Sequence, residues 1–136
     1  MREVLLTVGA AAAALLLIGI AVFALHDTST FVPAPEAVTE GFARQITTRR
    51  FDLAVNYLAS ARKKTETPRM LASRFEPLFA ATGKVNRVGA EPQSMQQDRA
   101  VARAIIKGDD GKTSFDVGLV RENGLWKIDR LPDLVR

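Results

Sequence analysis

The pattern of apolar and polar residues changes twice along the chain. Val4 to Leu25 is a run of 22 residues without a charged side chain. Between residues 35 and 83 apolar residues recur at helical spacing, and from Lys84 onward they alternate with polar ones. Helical spacing predicts amphipathic helices, whereas alternation predicts half-buried strands. The chain is therefore predicted to contain one continuous apolar segment, then a helical region, then a sheet.

The apolar run has the length of a membrane span. At about 1.5 Å per residue its helix measures roughly 33 Å, enough to cross a hydrocarbon core of about 30 Å. A secretory signal has a shorter apolar core of about 7–15 residues, although Val22-Phe23-Ala24 offers a weak cleavage site. Arg2 precedes the run and the next basic residue is Arg44, which favours a cytoplasmic N-terminus. We predict a single-pass anchor in the cell membrane with an extracytoplasmic C-terminal domain; the alternative is a cleaved signal and a secreted protein.

The chain divides into four predicted segments. Their bounds are residues 1–3 for a short cytoplasmic N-terminus, 4–25 for the transmembrane helix, 26–34 for a linker and 35–136 for a folded domain. Pro33 and Pro35 favour extended backbone in the linker and keep the anchor helix from continuing. About 110 residues beyond the anchor suit one compact domain and leave little room for a second.

The first half of the domain is predicted to be helical. Three helices are expected, over residues 35–48, over 51–62 and from Pro68 up to a stop at Gly83. In the first helix, Val38, Phe42 and Ile46 recur every four residues and therefore share one apolar face. Pro77 lies inside the third helix and is expected to kink or break it near Glu76.

The second half is predicted to be a sheet. The expected strands cover residues 84–91, 98–107, 112–122 and 125–131. Asn123-Gly124 is the strongest hairpin signal in the chain, because both residues tolerate the positive φ of a type I′ turn. Three helices packed on an antiparallel sheet of about four strands make an α+β fold, in which the helices cover one face of the sheet.

The amino-acid composition excludes several kinds of functional site. The chain has no Cys and a single His, His26, so it offers no disulfide framework, thiol nucleophile, lipoprotein-type attachment or His-rich metal site. We predict neither a metal nor a cofactor. With 19 Lys and Arg against 15 Asp and Glu, the net charge of +4 is modest, and it supports solubility more than it identifies a partner.

Two segments carry a resemblance to a known superfamily. The helical stretch TRRFDLAVNYLASARKK and the ending FDVGLVRENGLWKIDRL resemble the nuclear-transport-factor-2-like superfamily, also described as cystatin-like or SnoaL-like α+β. The similarity covers roughly Pro35 to Leu131 and is closest to small bacterial membrane-anchored members of unknown function. It implies a curved sheet that wraps the helices into a cone with a pocket at its open end.

The same resemblance indicates what an enzyme of this build would need. Catalytic relatives use a buried carboxylate or His as base, with a Tyr or an acid that donates to an oxyanion. Tyr57 is the single phenol, and Asp52 lies about 140° away from it around a helix, so the two do not share a face. Asp116 alternates away from the apolar face of its strand. We predict no catalytic residue, and the sequence favours a protein that is not an enzyme.

Three side chains of the apolar set are candidates for lining a ligand pocket. Most of that set forms a core, but in this fold part of it can line a cavity where the sheet curves away from the helices. The candidates are Tyr57, Phe79 and Trp126.

Basic residues concentrate in the helical half. Between Arg44 and Arg74 eight basic residues stand against two acidic ones. The predicted basic surface patch consists of Arg62, Lys63, Lys64 and Arg69. Such a patch is either a solvated face or a site for anionic lipid headgroups, which are attracted by about 1 kcal/mol per basic residue near a membrane surface. Nucleic acid is not an expected partner, because no aromatic residues are interleaved with the basic positions.

Three function classes remain. The first is a membrane-anchored extracytoplasmic binding or assembly module in the bacterial envelope, whose partners are the lipid bilayer through residues 4–25 and other envelope proteins or a second copy. The alternatives are a carrier or sensor that holds a small hydrophobic ligand in the cone pocket, and a SnoaL-like lyase or isomerase. The sequence shows no acid–base pair, which argues against the lyase or isomerase. The anchor favours the binding or assembly module.

Overall fold

The structure, a computed structural model, describes residues 32–134. From Pro33 onward they belong to one compact unit. Its helices are α1 (Pro35–Thr47), α2 (Phe51–Ala54), α3 (Ser60–Lys63) and α4 (Pro68–Thr82), and its strands are β1 (Val85–Gln96), β2 (Arg99–Gly108), β3 (Lys112–Glu122) and β4 (Leu125–Arg130). The predicted span over residues 4–25 lies outside the described residues. Within residues 32–134 none of the helices has the length and apolarity needed to span a membrane.

The two long helices begin and end where the sequence predicts. Pro35 opens α1, and the Thr67 hydroxyl caps α4 by accepting the N–H of Met70 at 3.2 Å. Gly83, with φ of +65°, follows the end of α4. The predicted break at Pro77 is wrong, because α4 continues to Thr82. A proline inside a helix costs roughly 3 kcal/mol, and burial of the apolar face on both sides of Pro77 offsets it.

The predicted helix over residues 51–62 is wrong as one element. The chain forms α2, a 3₁₀ turn at Val55–Tyr57 and the separate short helix α3. Between the turn and α3, Leu58 is extended and forms a parallel bridge with Ile128 of β4, while the N–H of Ala59 donates to the Ile128 carbonyl at 2.7 Å. Pairing with a distant strand therefore overrides the local helical periodicity.

The start of α3 is held by the end of β3. The carboxylate of Glu122 accepts hydrogen bonds from the backbone N–H of Ser60, at 3.1 Å, and from the Ser60 hydroxyl, also at 3.1 Å.

The α+β class is confirmed, but four helices accompany the sheet where three were predicted, because the tertiary contacts of residues 58–60 divide the second predicted helix.

The sheet is an antiparallel meander in the order β1-β2-β3-β4. The predicted bounds of β3 are confirmed, and the hairpin turn has φ of +53° at Asn123 and +81° at Gly124, as a type I′ turn requires. β1 runs five residues beyond its predicted end at Glu91 because it pairs with β2 down to Gln96, after a register shift between Pro92 and Ser94.

The core lies between α1, α4 and one face of the sheet. Phe75 of α4 is its centre, with ring centroids 5.9 Å from Phe42 of α1 and 5.1 Å from Phe115 of β3. Alternate residues of β2, from Ala100 to Ile106, are buried beneath them. The small alanine side chains let the large aromatic rings of the helices approach the sheet.

Candidate functional site

An apolar groove of about 400 Å³ lies between α1, the Val55–Tyr57 turn and the start of β4. Its apolar lining consists of Pro33, Val38, Leu53, Tyr57, Leu125 and Trp126. Binding sites for small molecules have volumes of about 300–1,000 Å³ and are mostly apolar with a few polar groups. The groove has the size and the lining of a binding site, and it is open to solvent.

The floor and the rim of the groove come from different parts of the chain. Trp126 is 4% exposed and lies on the buried face of β4 with Ile128. The guanidinium of Arg121 stands 4.9 Å from its ring, a cation–π distance. At the rim, Leu53 is 37% exposed and Leu125 is 45% exposed. A fixed aromatic floor is thus flanked by two leucines that water reaches.

Tyr57 lies against α1 at a glycine. A β-carbon at Gly41 would lie 2.8 Å from the Tyr57 Oη and 2.9 Å from Cε2, so the ring occupies space that any larger residue would fill. The ring also makes an edge contact with Phe42, with centroids 6.3 Å apart. Among residues 32–134 the Tyr57 hydroxyl has no hydrogen-bond partner.

Lys127 is the cation among the described lining residues of the groove. The Nζ of Lys127 donates to the backbone carbonyl of Asn56 at 3.3 Å, which fixes the direction of the side chain. An ammonium group has three donors, so two remain for water or a bound acceptor. With the amides of Gln45 and Asn56, Lys127 supplies the polar part of an otherwise apolar lining.

The described lining residues include neither a carboxylate nor a histidine. A general base has to lie within about 2.6–3.2 Å of the proton that it removes, and among the described lining residues the titratable side chains are Tyr57 and Lys127. In the part of the chain that the structure describes, no group of three or more acidic or His side chains is arranged to hold a metal ion. This mostly apolar lining with a few polar groups supports binding.

The structure brings two of the three pocket candidates together. Tyr57 and Trp126 line the same groove. Phe79 is not among the lining residues, and its ring lies 3.8 Å beneath the guanidinium of Arg49. Leu53 and Leu125 also line the groove but were not predicted from the sequence. The signal for Leu125 was present, since a leucine directly after the Asn-Gly turn stands at an exposed hairpin tip.

The four residues of the predicted basic patch have different environments. Arg62 is half-buried and donates two hydrogen bonds, of 3.2 and 3.0 Å, to the carbonyl of Asp129. It therefore fastens α3 to β4. Lys63, Lys64 and Arg69 are exposed. Attraction of these three to anionic headgroups stays a prediction.

Comparison with known proteins identifies the fold. The sequence matches no protein-family model and no curated protein. Among solved structures, it is similar to a proposed NTF2-like transpeptidase from Campylobacter jejuni, with 14% identity and a TM-score of 0.54 over 68% of this chain and 94% of that one. It is also similar to a SEC-C-motif-containing protein from Rhodopseudomonas palustris, with 14% identity and a TM-score of 0.54 over 72% of this chain and 77% of that one.

These likenesses concern the fold alone, because both proteins are only 14% identical to this chain. The nuclear-transport-factor-2-like fold that the sequence resemblance predicted is confirmed. One such fold hosts many unrelated functions, so the function has to be argued from the groove.

Proposed function

We propose that the chain is a membrane-anchored extracytoplasmic binding module without catalysis of its own, and that the Tyr57–Trp126 groove is its binding site. The observation that carries this proposal is the apolar lining, which joins two aromatic side chains to a rim of exposed leucines. Exposed apolar patches with polar surroundings mark interaction sites on soluble domains.

An apolar segment of another envelope protein is the occupant that we favour. Pockets for small molecules bury about 70–90% of the ligand surface, and this groove is too open to do so. Protein interfaces instead place aromatic anchors at the centre and surround them with residues that exclude water. Trp126 fits the central position, and Leu53 and Leu125 fit the surrounding one.

Attachment to the membrane rests on the uncharged run Val4–Leu25. A tether raises the effective concentration of the groove near other membrane proteins, so a weak contact suffices for assembly. We expect the protein extracted from the membrane fraction to retain residues 4–25. Intact-mass spectrometry checks this, and a mature protein that begins at Leu25 or soon after would exclude the anchor.

Photocrosslinking in cells tests the groove. We expect a benzoylphenylalanine at position 125 of the full-length protein to give a discrete protein-sized adduct. The matched control places the same group at Met95, which is 57% exposed at the end of β1. The adduct should disappear when Leu53→Asp puts a charge on the apolar rim, since a bound apolar segment cannot hydrate that charge.

The outcomes of this experiment separate the proposals. The same adduct from positions 125 and 95, or an adduct that Leu53→Asp leaves unchanged, would show that the groove is not the binding site. An adduct of only a few hundred daltons would replace the protein partner by a small apolar ligand, the second candidate. The polar ends of Tyr57 and Lys127 favour that candidate, because they can orient a polar head while the tail lies along the leucines.

A further inference from the structure

A second cleft, of about 200 Å³, lies on the face of the sheet that points away from the helices. Its floor is Gly118 of β3, and two arginines flank it, Arg99 from β2 and Arg130 from the end of β4. Residues 99 and 101 alternate with the buried Ala100 and therefore point away from the core. The cleft is separate from the Tyr57–Trp126 groove and shares no lining residue with it, since β4 contributes residues 125–127 to the groove and residues 129–130 to the cleft.

The glycine in the floor determines how Arg130 lies. A β-carbon at Gly118 would be 3.0 Å from both Cβ and Cζ of Arg130 and 3.2 Å from Nε, so the side chain lies flat across the glycine. Its guanidinium forms no ion pair or hydrogen bond with any other residue of the range 32–134. Within this range, no other residue uses any of its five N–H donors.

A register shift places Asp129 beside Arg130 at the cleft, and Asp129 in turn contacts Arg99. The pairing of β3 with β4 slips between Gly118 and Leu119, which brings Asp129 and Arg130 to the same cleft. The Nη1 of Arg99 lies 3.3 Å from an Asp129 carboxylate oxygen. That contact orients Arg99 without occupying its whole donor edge, and the two guanidinium groups outweigh the single carboxylate by one positive charge.

The donors of the cleft match a tetrahedral oxyanion. The Ser94 hydroxyl and the Gln96 amide add neutral donors on the β1 side. Guanidinium groups bind phosphate oxygens in pairs, with geometric specificity that a lone ammonium lacks. We propose that this cleft binds a phosphoryl group, carried either by a soluble phosphate or by a phospholipid headgroup. The proposal is independent of the occupant of the groove.

Arginine side-chain NMR of the full-length protein in nanodiscs of digalactosyldiacylglycerol, a neutral lipid without phosphate, tests the proposal. We expect inorganic phosphate, added at constant ionic strength, to shift the Nε–Hε signals of Arg99 and Arg130 in a saturable way. Arg130→Gln should weaken binding by about tenfold, since it removes charge-assisted hydrogen bonds. The matched control is Arg103→Gln, on the same face of the sheet, where Asp116 holds the guanidinium at 2.8 Å. It removes the same charge and should leave the affinity unchanged.

A second variant separates geometry from charge. Gly118→Ala keeps every charge and pushes the Arg130 side chain off the floor, so we expect it to weaken phosphate binding to a similar extent. Equal losses in Arg130→Gln and Arg103→Gln would indicate unspecific attraction and overturn the proposal. So would unchanged arginine signals.

The lipid composition of the nanodiscs identifies the source of the phosphoryl group. The same shifts in phosphatidylglycerol nanodiscs without added phosphate would assign the cleft to a lipid headgroup. Shifts that require added phosphate in both kinds of nanodisc would assign it to a soluble ligand. Arginine signals that do not shift in either kind of nanodisc, with or without phosphate, would contradict both the lipid and the soluble version of the proposal.

Discussion

Gly108→Ala should lower the free energy of unfolding by about 3 kcal/mol, at the upper end of the cost of overpacking. A β-carbon at Gly108 would overlap the carbonyl oxygen of Thr82 and lie 2.8 Å from that of Lys84. Both obstacles are backbone atoms, so no side-chain rotation relieves the clash. They also accept the N–H groups of Asp110 and Asp109, both at 2.9 Å. The added methyl group would thus separate the β2–β3 turn from the end of α4.

Chemical denaturation followed by circular dichroism measures this loss. Gly89→Ala is the matched control, because a β-carbon at Gly89 in β1 meets nothing within 4 Å. We expect that variant to change stability by no more than about 0.5 kcal/mol, as is usual for substitutions in open surroundings. Equal stability of the two variants would disprove the close packing of the turn on α4.

Arg74→Leu should destabilise the fold by about 3 kcal/mol, because it leaves a buried carboxylate without its partner. Glu66 is 2% exposed and receives two hydrogen bonds from the Arg74 guanidinium, at 2.9 Å from Nε and 3.1 Å from Nη2. A third bond, of 2.9 Å, joins Nη1 to the carbonyl of Pro132. The same side chain therefore holds both the loop before α4 and the segment after β4.

A surface ion pair provides the comparison. Arg44 contacts Glu40 at 2.7 Å, but the two side chains are 57% and 38% exposed. Arg44→Leu should cost less than about 0.5 kcal/mol, since exposed pairs on a helix contribute little. The double variant Glu66→Leu/Arg74→Leu should recover much of the loss, because no charge then remains buried. If Arg74→Leu is no worse than Arg44→Leu in urea denaturation, Glu66 is not a buried carboxylate that depends on Arg74.

Local signals in the sequence were sufficient for much of the fold. Periodic apolar residues predicted α1, alternation predicted β3, and Asn123-Gly124 predicted the hairpin turn. Each of these signals lies within a few neighbouring residues. The division of residues 51–62 could not be predicted this way, because it depends on the contact of Leu58 with Ile128, 70 positions further along the chain.

The candidate sites show the same limit. The resemblance pointed to Tyr57, Phe79 and Trp126, and the structure places Tyr57 and Trp126, but not Phe79, at one groove. The phosphoryl cleft gave no signal in the sequence. Arg99 and Arg130 come from strands that are not neighbours, and their approach depends on a register shift and on the missing side chain of Gly118. Such features become visible only when strands are aligned in three dimensions.

The contact between Leu58 and Ile128 also protects the molecule from self-aggregation. An edge strand with free N–H and carbonyl groups is a template for another chain, and residues 58–59 occupy part of that edge on β4. The opposite edge belongs to β1, where Pro92 lacks an N–H and two register shifts interrupt the strand. Both edges thus resist addition of a further strand, so copies of this domain can be crowded together without fusing their sheets.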